Sequence, residues 1–524
     1  GDEADEEAAE GGDEGDLPGG DGAEVGEAGL DDAPEAVLEE VDGDVEGDGG
    51  ESAEEADEGG GEEEEEVFAA AGALDPGAAE AAGPAGEGAQ TPAGGIILFD
   101  NRGHGKIQYP ISSSQSPTSN GARNRMGWIG AGAAARLREM NPVQGKRIAV
   151  DARWVFRELS GIGRYTLELL RQLGERGGAF RFLVLVRDGE RREFIEQAAG
   201  LAGKANFEFA ELPHGVFSLA GQFAAARLLR EREIAVYHST NFMVPLPAFP
   251  RRRPHAVTCL CNIHDLIPMV HPEFTPRALK TRFFPVYKGL MHEIARRVDG
   301  VLTGSESAKR DIVRLLGIPE GRIVVAPDGV DARHVPGGEK PSARGGPKTV
   351  LYVGRCDPYK NLPGLVEAFA RLVREGGVEA RLRIVGSPDA RYPEAGETAR
   401  RLGVADRVDW AGYLDDAGLL QAYRDADALA LLSRYEGFGL PVLEAMACGT
   451  PVVCSDAASL PEVAGTAARL VAPDDLAGAA AALKQVLTDP AEAARLRAAG
   501  LEQAKKFSWR AAAEAVLRLY GEGA

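Results

Sequence analysis

Twelve short apolar runs rich in β-branched residues, alternating with helix-length segments, restrict this chain more than any other feature. Six lie at 147–151, 182–186, 207–212, 234–238, 256–263 and 300–305, and six at 349–354, 382–386, 408–412, 428–432, 451–454 and 469–471. Runs this continuously apolar are buried on both faces, and helical patterns between them, such as 165–176 and 219–232, argue for βαβ units and parallel sheets. Residues 331–347 separate the two series with four glycines and three prolines, the composition of a linker. The expected fold is therefore α/β, with two Rossmann-like, doubly wound lobes at 146–335 and 346–507 and a closing helix at 508–524. Open sheets of this kind take ligands beyond the carboxyl ends of their strands, so two lobes imply a cleft.

The charge of the chain divides as sharply as its pattern. Residues 1–100 hold 35 of the 82 acidic residues and no Lys or Arg. Few large apolar side chains and strong self-repulsion leave such a segment unable to offset its ordering entropy, so disorder is expected. Taking 35 from 82 leaves 47 acids against 58 bases over 101–524, so the net charge of −24 conceals a basic remainder. Residues 101–139 read as a Gly/Ser/Asn/Ala-rich linker, and Met140 reads as a native start, which makes 1–139 an extension or a misplaced start. The alternative is an acidic arm for a basic partner.

From Met140 onward 385 residues remain, enough for two cores. All five cysteines lie there, in an odd number and without a scaffold pattern, which fits a reducing compartment. Cys259 and Cys261 lack the second pair of a metal knuckle. No secretory signal and no apolar run of membrane-spanning length is evident. The expectation is a cytoplasmic protein that touches the inner face of a membrane only at its surface. The run Arg251-Arg-Arg253 offers a contact for acidic headgroups, with a solvated loop as the alternative. Nucleic acid is not an expected partner.

The densest chemistry lies in Glu436-Gly-Phe-Gly-Leu-Pro-Val-Leu-Glu444, two acids with seven residues between them. Pro441 suits a first helical turn, and the amides of Phe438, Gly439 and Leu440 would then face an anion such as phosphate. Carboxylates on either side of a bound diphosphate fit the hydroxyls of a nucleotide sugar. Val353-Gly-Arg-Cys-Asp-Pro-Tyr-Lys-Asn places Arg355 and Lys360 at a strand end, where two cations would stabilise a departing nucleoside diphosphate. Gly161-Ile-Gly-Arg-Tyr opens a helix after the first strand, although it is not a complete dinucleotide fingerprint. His264 and Asp265 follow a buried strand, where His264 can exchange hydrogen bonds near neutral pH and Asp265 orients it or caps the next turn. Tyr237-His-Ser-Thr-Asn241 ends another strand, so His238 and Asn241 line the cleft or simply form a turn.

These motifs together resemble the retaining GT-B glycosyltransferases of the family 4 group, over residues 146–520. The resemblance implies that Glu436 contacts the donor sugar, Glu444 the ribose, and Arg355 and Lys360 the diphosphate, without a metal or other cofactor. It implies that Gly161 and Gly163 lie beside the donor phosphates and the acceptor and that His264 positions the sugar; Arg164 and, from their strand end, His238 and Asn241 are the acceptor-side candidates. The first lobe would take the acceptor and the second the donor. Within the family the chain looks most like bacterial mannosyltransferases of surface polysaccharide synthesis. That implies GDP-mannose as donor, with a UDP-sugar as the alternative, and a glycan or lipid-linked oligosaccharide as acceptor. Two rivals share the fold or the motifs: a UDP-sugar epimerase, and a non-catalytic nucleotide-sugar sensor or scaffold.

Overall fold

The computed structural model describes residues 96–99, 105–108, 145, 147–156, 159–274, 284–338, 340, 342 and 345–521. Of the stretch expected to lack structure, only an antiparallel pair falls among them: β1 (Ile96–Phe99) with β2 (Gly105–Gln108). The pair departs from the linker expectation because Ile96-Ile-Leu-Phe99 is itself a strand-like run, and the five residues that join it to β2 include Asp, Asn and Gly. The rest of the acidic region and the Met140 start lie outside the described residues.

The first lobe is a seven-stranded parallel sheet built from β3 (Arg147–Asp151), β4 (Arg181–Val186), β5 (Phe207–Glu211), β6 (Ile234–Ser239), β7 (Thr258–Asn262), β8 (Gly300–Thr303) and β9 (Ile323–Val325), in the order β5-β4-β3-β6-β7-β8-β9. The second holds β10 (Lys348–Val353), β11 (Ala380–Val385), β12 (Val408–Gly412), β13 (Ala428–Leu431), β14 (Val452–Ser455) and β15 (Ala468–Val471), in the order β12-β11-β10-β13-β14-β15. This is the GT-B architecture of two Rossmann-like lobes. Each of the twelve expected strands forms. The thirteenth, β9, is three residues long, too short for the apolar pattern to stand out from its surroundings.

In each sheet the strand order reverses beside its first strand, between β3 and β6 and between β10 and β13. Crevices open there, at the carboxyl ends. Short loops feed those ends into α1 (Gly161–Arg176), α2 (Glu306–Leu316), α3 (Leu362–Arg374), α4 (Asp416–Asp425) and α5 (Leu440–Ala447). The last helix, α6 (Trp509–Leu519), starts from a Ser508 cap and returns to the first lobe, where Trp509, Ala513, Val516 and Tyr520 join its core. Among the described residues no helix is long and apolar enough to cross a membrane.

Candidate functional site

The turn after β10 and the turn after β13 meet at the reversal point of the second sheet. Lys360 ends a short 3-10 turn, and its Nζ lies 2.9 Å from both oxygens of Glu436. Ser433 donates a further hydrogen bond of 2.7 Å to Glu436 Oε1. The pair is nearly removed from solvent, the side chains being 14% and 9% exposed. Burial at this level is tolerable for two charges because each is paired and hydrogen-bonded. Asn361, buried next to Lys360, ties the turns together through its amide, which donates to the carbonyls of Leu432 and Pro473.

Beyond Glu436 the chain tightens into α5. Gly439 caps the helix at φ +108°, a conformation that favours glycine, and Pro441 sits in the first turn. The first helical bonds run from Val442 and Leu443 to the Gly439 carbonyl. The amides of Phe438, Gly439 and Leu440 precede them and have no intrahelical acceptor. Ser459 holds the loop from behind, its Oγ 2.8 and 2.7 Å from the carbonyls of Glu436 and Phe438, which share its one proton. Gly437 is required sterically: a Cβ there would stand 2.6 Å from the His264 carbonyl of the opposite lobe.

That close approach brings His264 and Asp265 to the pair. His264 Nε2 lies 2.9 Å from the Thr240 carbonyl, and its ring meets Tyr165 edge-on with centroids 5.0 Å apart. Burial lowers the imidazole below its ordinary range, against the opposing pull of the Thr240 carbonyl and of Asp265. Burial raises the Asp265 carboxyl, and its Oδ1 accepts from the Ile267 amide at 3.1 Å. Of the two roles read for Asp265, the contact made is the cap. The lobes are further joined by Ser305 Oγ donating to the Gly437 carbonyl at 2.7 Å and by Tyr435 donating to Asp311 at 2.7 Å.

A family model described as Glycosyltransferase Family 4 matches residues 159–334, and one described as Glycosyl transferases group 1 matches 339–503. O-antigen chain mannosyltransferase B of Escherichia coli is 31% identical over 370 residues, spanning 67% of this chain and 93% of that protein. The chain belongs to glycosyltransferase family 4. A second relative, a glycogen synthase of Mycobacterium tuberculosis, is 34% identical over 288 residues, spanning 54% of this chain and 68% of that one. A solved sucrose-phosphate synthase from Thermosynechococcus elongatus shares the fold at TM-score 0.57 and 22% identity, over 72% of this chain and 98% of the other.

Not every expected residue of this glycosyltransferase reaches the Lys360–Glu436 pair. Arg355 leaves β10 toward solvent, 67% exposed, with Nε 2.9 Å from Asp357. Glu444 lies buried in α5, where its Oε2 accepts from Tyr423 at 2.7 Å. Gly161 has open space where a Cβ would be, whereas the Gly163 amide donates to the Ser160 cap at 3.2 Å. Arg164 reaches across to the second lobe and pairs with Asp416 at 2.6 Å, in the field of Glu444.

Two residues read as acceptor-side make their hydrogen bonds inside the first lobe. His238 is fully buried within β6, one ring nitrogen 2.8 Å from Asn262 and the other 2.7 Å from Tyr520. Burial pushes it down to about 4, so it stays neutral near pH 7. Asn241 is also buried and bonds the next amide, Phe242, at 2.8 Å, which is turn-forming work. The basic run is largely engaged by the protein itself. Arg251 makes two bonds to Glu293, and Arg253 bonds the Val298 carbonyl and lies 3.6 Å from Asp299. Ser433, Tyr423 and Asp416 were missed from sequence, because their partners lie 3 to 252 residues away and single polar residues carry no periodic signal.

Proposed function

We propose that this glycosyltransferase moves mannose from GDP-mannose to a hydroxyl of a glycan or lipid-linked oligosaccharide, with retention of anomeric configuration and without a metal. The buried Lys360–Glu436 pair at the reversal point of the second sheet, facing His264 across the cleft, carries the reading. A lysine and the amides of Phe438, Gly439 and Leu440 form a positive pocket for a leaving diphosphate, where such charge stabilises the transition state. Arg355, on the same loop, would add to that charge by swinging from Asp357. Glu436 and His264 hold the sugar, and Glu444 the ribose. In this geometry the leaving phosphate accepts the proton of the incoming hydroxyl on the same face, which retains configuration. A covalent route would need a carboxylate nucleophile under the sugar. Of the two carboxylates here, Glu436 is held by Lys360 and Ser433, and Asp265 accepts from the Ile267 amide. The mannosyltransferase relative, matched over 93% of its length, supports the sugar, and a cytoplasmic location fits a nucleotide-sugar donor.

The test is nucleotide release by the full chain against a panel of GDP- and UDP-sugars with mannan oligosaccharide acceptors. Turnover is expected with GDP-mannose, and proton NMR of the product should show an α linkage. Turnover with a UDP-sugar alone would overturn the mannose assignment, and a β product would overturn retention.

A further inference from the structure

We propose that His334, on the segment between the lobes, positions the Glu444 carboxylate for the nucleotide; this rests on the reading of Glu444 as the ribose ligand. Glu444 has two neighbours of different kinds. Its Oε2 accepts the Tyr423 hydroxyl at 2.7 Å, and its Oε1 faces His334 Nε2 at 4.0 Å. That distance is within reach of charge and a little beyond a hydrogen bond, and contacts of this kind tighten when a substrate closes a site. The imidazole is only 6% exposed, and its Nδ1 meets no polar partner among the described residues. A buried polar ring with no other bond is costly unless its remaining nitrogen is used. Glu444 is the acceptor within range.

The ring is held where such a role requires it. His334 packs edge-on against Tyr423, centroids 6.0 Å apart, so one tyrosine touches both the histidine and the carboxylate. The His334 amide donates to the Asp331 carbonyl at 2.9 Å. Arg424, on α4, donates to the carbonyls of Arg333 and Val335 at 3.2 and 3.0 Å and so clamps the residues on both sides of His334 to the donor lobe. Although His334 lies on the linker, these bonds tie it to the lobe that holds Glu444. Arg164, Arg333, Asp416, Leu419 and Leu420 line a small pocket with it.

The experiment is calorimetric titration of GDP and UDP into the full-length protein and into His334→Phe, His334→Gln, His334→Asn, Glu444→Gln and the His334→Phe/Glu444→Gln pair. Phenylalanine keeps the ring against Tyr423 and removes only the nitrogens. A five- to ten-fold weaker Kd is expected for His334→Phe, with kcat at saturating donor within two-fold of the parent. Gln, whose amide nitrogen stands near the Nε2 position, should restore most of the affinity, whereas Asn, which reaches only Nδ1, should not. In the Glu444→Gln background His334→Phe should add nothing, because its effect runs through the carboxylate. Equal losses in both backgrounds, or unchanged binding by His334→Phe while Glu444→Gln weakens it, would overturn the positioning role. Unchanged binding by Glu444→Gln would instead overturn the ribose reading and this inference with it.

Discussion

The polar groups around Glu436 in the second lobe and those around Asp328 in the first are finished to different degrees. In the second lobe Glu436 accepts three bonds, its loop is held by Ser459, and Glu444 is bonded to Tyr423. In the first lobe two buried side-chain oxygens have no partner among the described residues: Thr303 Oγ1 and Asp328 Oδ1. They belong to one neighbourhood, since the Thr303 backbone carbonyl accepts the amide of Ala326, two residues before Asp328. A site whose charges are fixed before the reaction pays no reorganisation cost during it. The surroundings of Glu436 are built that way, whereas those of Asp328 concede stability.

Breaking the finished side should have the largest effect. Glu436→Gln keeps the shape of the side chain but removes the counter-charge of Lys360, and Lys360→Ala strands a buried carboxylate. Loss of one preorganised electrostatic contact typically lowers kcat by ~10²–10³-fold. We expect a fall of at least ten-fold in each variant, measured as nucleotide release with saturating donor and acceptor. The far-ultraviolet circular dichroism should be retained. Near-parental turnover would remove the altered residue from the reaction and leave the pair as a structural fastening.

The unfinished side predicts a pH effect of the opposite kind. Burial raises Asp328 to about 7, well above the ordinary value for an aspartate. Below pH 4 the carboxyl is protonated in both folded and unfolded chains and imposes no penalty. As pH rises from 4 to 7 the unfolded chain ionises first, so stability falls, by about 4 kcal/mol in all for a shift of this size. Asp328→Asn should therefore raise the unfolding midpoint at pH 8 and leave it nearly unchanged at pH 4. His238 works in reverse: with its ring held down to about 4, stability is complete above pH 6.5 and is lost as pH falls toward 4. The variant should consequently show a steeper loss on acidification than the parent, because the two contributions no longer offset. Equal midpoint shifts at pH 4 and pH 8 would mean that Asp328 is not the strained group.

Much of this was legible in the sequence, for reasons that follow particular residues. Burial on both faces makes a parallel strand a continuous apolar run, so β10 and β13 could be placed to within a residue or two. Gly439 and Pro441 declare the start of α5 because backbone geometry restricts which residues can stand there. The neighbours of each site residue were less legible. His238 lies within β6 and His264 just beyond β7, and what packs over each decides its role. Tyr520, from the far end of the chain, covers His238, and its arrival depends on α6 returning to the first lobe. Arg355 and Lys360 share a loop, yet one turns to Asp357 and the other to Glu436. Rotamer and partner are tertiary facts, and spacing does not encode them.

The smallest expected effect concerns the seam where the two lobes meet above the cleft. Arg164 of the first lobe and Arg333 of the linker converge on Asp416 at 2.6 and 2.9 Å. Asp416 is 38% exposed, so solvent screens the attraction, and a pair of this kind contributes about 0–1 kcal/mol. Asp416→Asn should lower the unfolding midpoint by no more than about 2 °C, and the difference should vanish in 0.5 M salt, where screening acts within ~5 Å. The same change frees Arg164 in the field of Glu444, so nucleotide affinity should respond more than stability does. A large thermal loss with unaltered nucleotide affinity would reverse that ordering, and the seam would then belong with the structural contacts between the lobes rather than with the proposed nucleotide site.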